Sequence, residues 1–412
     1  MRPLRPEQEK LALVMVGLPA RGKTYVARKI ERYLSWLGYR VRGFNVGEYR
    51  RELVGARQTA SFFSPENQET RGPRLQAAMK ALDDLLAFLH DGGEVGIYDA
   101  TNTERERRGV IASRCRAEGV HVVMIESICH DEAVIEANVR ETKLRSPDYA
   151  DIDPEQAVGD FKQRIAHYER TYEPVDDSDE SYVKLIDVGR QVVVNRVEGY
   201  VAARLVYFLM NIHAARRPIW LTRHGESLHN VEGRIGGDGG LSRRGRDYAR
   251  SLARFVEDRG AEGKRAVVWT SAQRRALETT EELAIAPISW RALDEIDAGI
   301  CDAMTYEEIR QRNPDEYAAR AKDKFRYRYP QGESYADVIQ RLEPVIVETE
   351  RQRRPILIVA HQAVLRALYG YLMGRPQEEC PYLAIPLHTV IELRPNAYGY
   401  EGARHPLPPI LA

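Results

Sequence analysis

Cysteine is scarce in this sequence and none of it is paired by spacing: Cys115, Cys129, Cys301 and Cys380 form no CxxC and no Cys/His ligand pattern. A disulfide scaffold and a cysteine-based zinc site are therefore excluded, and a reduced, cytoplasmic setting is expected. Net charge is missing too. Lys plus Arg and Asp plus Glu both number 61, so no overall field exists to draw nucleic acid or an anionic membrane, and neither is expected as a partner. No apolar run reaches the roughly 18 residues of a membrane span, and Met1 to Lys10 is charged and lacks the apolar core of a signal peptide. Internal repeats and low-complexity segments are absent. What remains is a globular composition over 412 residues, long enough for two or three domains.

The stretch Ile219-Trp220-Leu221-Thr222-Arg223-His224-Gly225-Glu226 is an apolar run that ends in an Arg-His pair. A second run, Pro355 to Ala360, ends in the same way on His361. Open α/β sheets bind ligands beyond the carboxyl ends of their strands, so two strands ending in histidine predict one site assembled from distant segments. A neutral His224 is a competent nucleophile toward phosphorus, Arg223 offers a forked donor to phosphoryl oxygens, and His361 adds a hydrogen bond or positive charge. Neighbouring cations keep such a histidine unprotonated. A leaving oxygen needs a proton, and Asp294, Glu295 and Asp297 are all candidates to supply it. Helical patterns at Arg243 to Asp258, Ser271 to Leu283 and Tyr335 to Arg351 alternate with strands at Ala266 to Trp269 and Pro355 to Ala360, which predicts a second α/β domain. No metal is needed there, because arginines supply the charge.

In the first half the apolar run Leu11 to Val16 leads straight into Gly17-Leu18-Pro19-Ala20-Arg21-Gly22-Lys23-Thr24, the G-x-x-x-x-G-K-[ST] phosphate loop. Its glycines let backbone N–H groups curl around phosphate oxygens, Lys23 reaches the outer phosphates, and the Thr24 hydroxyl can ligate Mg2+. Ala27, Ile30, Leu34 and Leu37 then recur at helical spacing until Gly38, and the amino terminus of that helix faces the phosphates. Strands expected at Tyr39 to Val46, Glu94 to Asp99 and Val120 to Ser127 alternate with helices at Glu66 to His90, Glu104 to Ala117 and Glu132 to Leu144, predicting a mostly parallel sheet. Asp99, at a strand end, can hold Mg2+ or accept a proton from an attacking hydroxyl; capping the helix after Thr101-Asn102-Thr103 is the alternative. Arg50, Arg51, Arg74, Arg105, Arg107 and Arg108 fall at or after element ends, where a phosphorylated second substrate could be gripped; solvated surface arginine is the competing reading. Gly72-Pro73 predicts a helix break just before Arg74. The acidic stretch Asp176 to Glu180 has a linker's composition, but strand patterning resumes at Val183 to Val188 and Gln191 to Val194, so it is expected to be a surface loop. A closing helix is expected over Glu198 to His213.

The segments Gly17 to Tyr25, Phe44 to Glu52, Asp99 to Thr103, Ser146 to Tyr149 and Asn211 to His213 resemble the bifunctional 6-phosphofructo-2-kinase/fructose-2,6-bisphosphatase family, and the likeness runs through nearly the whole chain. It implies a P-loop kinase-like domain with a mostly parallel sheet over 1–215, followed by a histidine phosphatase (phosphoglycerate mutase-like) α/β domain over 216–412. Carried over residue by residue, it implies an ATP site on Gly17, Leu18, Pro19, Ala20, Arg21, Gly22, Lys23, Thr24, Tyr25, Asn138 and Lys143, with Mg2+ at Thr24 and Asp99. Fructose 6-phosphate contacts fall on Arg50, Arg74, Thr101, Arg107, Lys143, Arg164 and Tyr168, with Asp99 and Cys129 as active-site residues. In the second half the resemblance makes Glu295 the proton donor and Arg275 the remaining phosphate ligand, with Arg274 beside it as the alternative. It places sugar-bisphosphate contacts on Asn230, Gly236, Tyr306, Arg320, Lys324, Tyr335, Gln362 and Arg366. The implied activities are synthesis of fructose 2,6-bisphosphate from fructose 6-phosphate and Mg-ATP, and its hydrolysis through a phosphohistidine on His224. A homodimer is implied as well. The chain starts close to its first strand and ends soon after its last, at Pro406 to Ala412, so control through phosphorylated tails is not expected. Two other readings compete: the same chemistries on another sugar or polyol phosphate, or a nucleotide-responsive binding protein with decayed centres.

Overall fold

The structure, a computed structural model, describes residues 10–143, 146–150, 152–187, 189–213, 215–396 and 399–408. The chain divides into two compact units, Met1–Ile212 and His213–Ala412.

The first unit is built on six strands: β1 (Leu11–Val16), β2 (Val41–Asn45), β3 (Val95–Asp99), β4 (His121–Ile128), β5 (Ser181–Ile186) and β6 (Gln191–Asn195). They lie in the order β2-β3-β1-β4-β5-β6, all parallel except β6, which runs antiparallel to β5. The continuous apolar run of β1 suits a central parallel strand covered on both faces, and all six of its residues are buried. Val14, Phe44, Leu82, Leu85, Tyr98 and Met124 belong to the core on one side of this sheet.

The second unit has β7 (Ile219–Arg223), β8 (Val267–Thr270), β9 (Ile288–Ser289), β10 (Ile356–Ala360), β11 (Thr389–Asn396) and β12 (Gly399–Pro406). Their order is β12-β11-β7-β10-β8-β9, with a parallel half (β7, β10, β8, β9) and an antiparallel hairpin, β11–β12, along one side. The helix Arg243–Asp258 buries Tyr248, Leu252, Phe255 and Val256 at helical spacing against Trp220, Leu357 and Val359, and Ser242 caps it by accepting from the Gly245 N–H at 3.1 Å.

Several sequence expectations change in detail. The helix Gln68–His90 runs straight through Pro73, so Gly72-Pro73 does not break it. A proline costs its own N–H and crowds the residue before it, but Gly72 has no Cβ to crowd, and the space around it is open. The pattern over Tyr335 to Arg351 is two helices, Tyr335–Arg341 and Glu343–Arg351, because Pro344 fits the first turn of a new helix better than the middle of a long one. The helix expected from Ser271 starts only at Arg274, since the Ser271 hydroxyl and the Ala272 N–H are both committed to Asp294, at 2.7 Å each. The helix from Glu132 ends at Asn138 and passes into a π-helical turn, Val139–Lys143; Leu144 lies outside the described residues. The acidic stretch is a turn between elements of the first unit, and it holds arginines: Arg108 pairs with Asp179 at 2.9 Å, and Arg105 and Arg116 pair with Asp176 and Glu180. Helices Pro154–Glu169, Tyr306–Arg312 and Pro314–Lys322 and the hairpin β11–β12 had no counterpart in the periodicity reading.

Leu357 is fully buried in β10 at the centre of the second core. Leu357→Ala should lower the stability of the second unit by about 2–5 kcal/mol, read as a shifted midpoint in urea unfolding followed by tryptophan fluorescence. An unchanged midpoint would contradict this packing.

Candidate active sites

In the first unit the phosphate loop leaves the carboxyl end of β1, between β3 and β4. The helix Lys23–Trp36 begins within the loop, with Gly22 in the left-handed region at φ 82. Gly17 must be glycine: it has φ 132, and a Cβ there would meet the Ser127 carbonyl oxygen at 2.5 Å. Its N–H donates to the Thr101 carbonyl at 2.9 Å, tying the loop to the segment that follows β3. Lys23 is buried, with Nζ donating to the Leu18 carbonyl at 2.6 Å. The Thr24 hydroxyl and the Asn45 amide donate to the same Asp99 oxygen, at 2.8 and 2.6 Å. The register Asn45↔Asp99 across β2 and β3 makes the second contact possible. Asp99 therefore faces the loop rather than capping the next helix, whose N-cap is Glu104. Asn138 donates to the Ala20 carbonyl at 3.1 Å and so steadies the loop's outer side. The side chain of Lys143 lies outside the described residues.

Past Asn45, the helix Val46–Val54 carries Arg50 to a buried ion pair with Asp148, at 2.6 Å. Arg51 and Arg164 stand 3.7 and 3.8 Å from the same carboxylate oxygen. Arg164 stacks on the Phe63 ring at 3.6 Å, and Tyr168 is that ring's neighbour. Arg74 reaches the Phe63 and Ser64 carbonyls at 3.2 and 3.3 Å. Burial pulls the Arg74 guanidinium below its ordinary value, Tyr168 and Glu104 oppose the fall, and Arg107 adds to it. Arg50, Arg74, Arg164 and Tyr168 thus converge on the turn Ala60–Phe63, with Arg107 close by. Arg105 and Arg108 do not join them. Arg108 is fully buried, paired with Asp179 and donating to the Asn102, Thr103 and Glu173 carbonyls. The Cys129 thiol is buried, which pushes its pKa up, and it sits 3.8 Å from the Asp131 carbonyl.

In the second unit β7 and β10 pair with Ala360 opposite Arg223, so the next residues, His361 and His224, emerge side by side. Their ring centroids are 5.0 Å apart. The His224 Nδ1–H donates to the Gly225 carbonyl at 2.7 Å, which leaves Nε2 with its lone pair, and Arg275 Nε donates to that atom at 3.2 Å. Burial first, then Arg275 and Arg223, holds His224 well below its ordinary pKa, and His361 is depressed by burial, Arg275 and His224. Burial also lowers Arg223, to about 10. Of the two candidate arginines, Arg275 faces the histidine, while Arg274 is exposed and pairs with Glu278 at 2.6 Å.

Glu295 lies at the start of the helix Gln362–Leu372, accepting the Gln362 and Ala363 N–H groups at 3.1 Å each. Asp294 instead accepts from Ser271, and Asp297 accepts the Gly299 N–H at 2.8 Å. The cavity has a volume of about 140 Å³ and is partly open to solvent, and Arg223, His224, Arg275 and Glu295 line it. Asn230, Gly236, Tyr306, Arg320, Lys324, Tyr335, Gln362 and Arg366 line it too. Arg320 donates to Tyr306 and Tyr329, each at 2.8 Å, and burial with Arg366 and Arg320 nearby pushes Lys324 down to about 8. The loop after His224 is pressed onto the helix Arg243–Asp258 with glycine on both sides. A Cβ on Gly225 would meet the Gly245 carbonyl at 2.4 Å, and one on Gly245 the Glu226 carbonyl at 2.2 Å.

Residues 3–216 match the family 6-phosphofructo-2-kinase, and residues 219–405 match the histidine phosphatase superfamily (branch 1). A Gallus gallus protein called 6-phosphofructo-2-kinase/fructose-2,6-bisphosphatase is 51% identical over 94% of this chain and 83% of its own length. The chain belongs to this bifunctional family. A Homo sapiens member, called 6-phosphofructo-2-kinase/fructose-2,6-bisphosphatase 4, is also 51% identical, over 94% of this chain and 83% of its own length. An Arabidopsis thaliana member is 50% identical over 98% of this chain, which spans 55% of that longer protein.

Sequence reasoning missed several members of both sites. Asn45 at Asp99, Asp148 among the arginines, Ser271 beside His361 and Arg341 behind Glu295 all act through contacts between distant segments. A strand-end signal was available for Asn45 and Ser271, since each lies at or just after a strand that ends beside a predicted site strand.

By 15N-histidine NMR, His224 should stay neutral, with Nδ1 protonated, at pH values well below the ordinary histidine value of about 6.5. Removing a cation favours the imidazolium, so Arg275→Ala should move this titration upward and Arg274→Ala should not. Equal effects of the two substitutions would contradict the geometry.

Proposed function

We propose that the chain makes and removes fructose 2,6-bisphosphate, a kinase in its first unit and a phosphatase in its second. The observation that carries this reading is His224 Nε2, unprotonated, buried and met by Arg275, in a chain that also presents a phosphate loop at Asp99.

In the kinase reaction the 2-hydroxyl oxygen of fructose 6-phosphate attacks the γ-phosphorus of ATP and ADP leaves. The loop N–H groups and Lys23 hold the phosphates, and the helix amino terminus at Lys23 favours their charge. Thr24 and Asp99 fit Mg2+, one hydroxyl and one carboxylate already sharing a contact at 2.8 Å, because this ion takes few protein oxygens and completes its shell with phosphate and water. Bound there, Mg2+ would neutralise phosphate charge. Asp99 is also within the site where a hydroxyl proton must be received. Arg50, Arg74, Thr101, Arg107, Lys143, Arg164 and Tyr168 bind the sugar phosphate in this reading.

In the phosphatase reaction His224 Nε2 attacks the 2-phosphoryl group, forming an N–P bond as the P–O bond to the sugar breaks. Glu295 gives its proton to the departing sugar oxygen, then takes one from the water that hydrolyses the phosphohistidine. Arg223 and Arg275 neutralise the equatorial oxygens. Among the described residues no group of three or more His, Cys, Asp or Glu side chains could hold a metal. Among the described residues no helix is long and apolar enough to cross a membrane. We place the enzyme in the cytoplasm as a homodimer.

The His224→Ala chain should accumulate fructose 2,6-bisphosphate from Mg-ATP and fructose 6-phosphate while its phosphatase rate falls by about a thousandfold or more. Adding Lys23→Ala should abolish the accumulation. Phosphohistidine formation in the parent should lose rate only well below the ordinary histidine value of about 6.5, since protonation removes the nucleophile and His224 resists it. Failure of the His224→Ala chain to form the bisphosphate, with ATP still bound, would mean another acceptor.

A further inference from the structure

Three strand ends meet at the reacting edge of the second sheet. β8 pairs with β10 so that Val359 lies opposite Thr270, and Ser271, the next residue, meets His361 with Oγ 2.8 Å from Nε2. Ser271 has one proton. It goes to Asp294 Oδ1 at 2.7 Å, because a carboxylate can only accept, and the same oxygen also takes the Ala272 N–H at 2.7 Å. The serine oxygen is thus left as an acceptor toward His361, which must carry its proton on Nε2 to satisfy it. His361 is wholly buried, and its other nitrogen, Nδ1, has no hydrogen-bond partner among the described residues. The main chain that carries this carboxylate is fixed: Arg341 donates to the Asp294 carbonyl at 2.6 Å and the Glu295 carbonyl at 3.2 Å, and pairs with Glu333 at 2.7 Å.

We propose that Ser271 and Asp294 are positioning residues that hold His361 as its Nε2–H tautomer, leaving Nδ1 as the unprotonated ring nitrogen. This rests on the phosphatase reading of the second unit. It also gives Asp294 a different task from its neighbour Glu295: one carboxyl group orients a histidine, the other meets the leaving oxygen. The charged groups around His361 are Arg275, Arg223 and Arg341, with His224 beside it, so the uncharged ring is the resting form and its tautomer is what the serine selects.

The test uses the full chain labelled with 15N-histidine, with the His361 ring signals identified by their loss in His361→Asn. The parent should show Nε2 protonated. In Ser271→Ala that preference should be lost, and phosphatase kcat should fall about tenfold to hundredfold while KM for fructose 2,6-bisphosphate stays within about twofold. Asp294→Asn keeps an oxygen for the serine proton, so it should retain the tautomer and lose less rate. Kinase activity of each variant, carried by the other unit, reports an intact chain. A parent ring protonated on Nδ1 would overturn the proposal even if Ser271→Ala failed to fold, and so would an unchanged tautomer with unchanged kcat in Ser271→Ala. Full phosphatase activity in His361→Asn would instead sink the underlying reading of the site, a result distinct from either.

Discussion

Parallel pairing of β7 with β10, with Ala360 opposite Arg223, is the contact on which the chemistry of the second unit depends. Shifting the register by one residue would turn every side chain of a strand to the other face, sending one histidine into the core while the other stayed at the edge. The apolar runs that precede the two histidines are buried on both faces, so the core sets the register and the register sets the spacing of the rings. Ser271 is then added just after β8, Arg275 from the helix that follows, and Glu295 from the segment after β9. Their positions matter only because the two strand ends are already side by side.

The two sites manage positive charge in opposite ways. Around His224 burial first, and then Arg275 and Arg223, disfavour the charged form, and the result is a neutral imidazole with an available lone pair. Around the turn Ala60–Phe63 the arginines share Asp148, whose side chain is almost wholly buried. An internal anion keeps guanidinium groups together where burial alone would penalise each of them. One site thus uses cations to tune a base, and the other uses a carboxylate to gather cations.

Much of this was legible in the residues. The phosphate loop, the Arg-His strand end and its distant partner at His361 are local patterns with a mechanical reason, and the resemblance to the bifunctional family extended them to both domains. Elements were read most accurately where periodicity was unbroken, as in the helix Arg243–Asp258. The failures have physical causes. Pro73 was read as a break because proline usually makes one, yet the glycine before it removed the clash. Asp294, Glu295 and Asp297 could not be told apart by spacing, because their tasks are set by Ser271, by the helix Gln362–Leu372 and by Gly299, which come from other parts of the chain. Arg341 gave no local signal, since a lone arginine in sequence looks like surface, and Asp148 stood only within the Ser146 to Tyr149 segment of the resemblance, where no role was attached to it.

The close approach of Gly225 to Gly245 has an evolutionary corollary. At most tight contacts a larger residue on one side can be accommodated by a smaller one on the other, and paired changes keep the fit. Here each glycine faces the other segment's backbone carbonyl rather than a side chain, so no substitution elsewhere makes room. The two positions are locked separately, without the compensating exchanges that let neighbouring residues drift together. The loop carrying the nucleophile is therefore held at a fixed height above the helix by the thickness of the main chain itself.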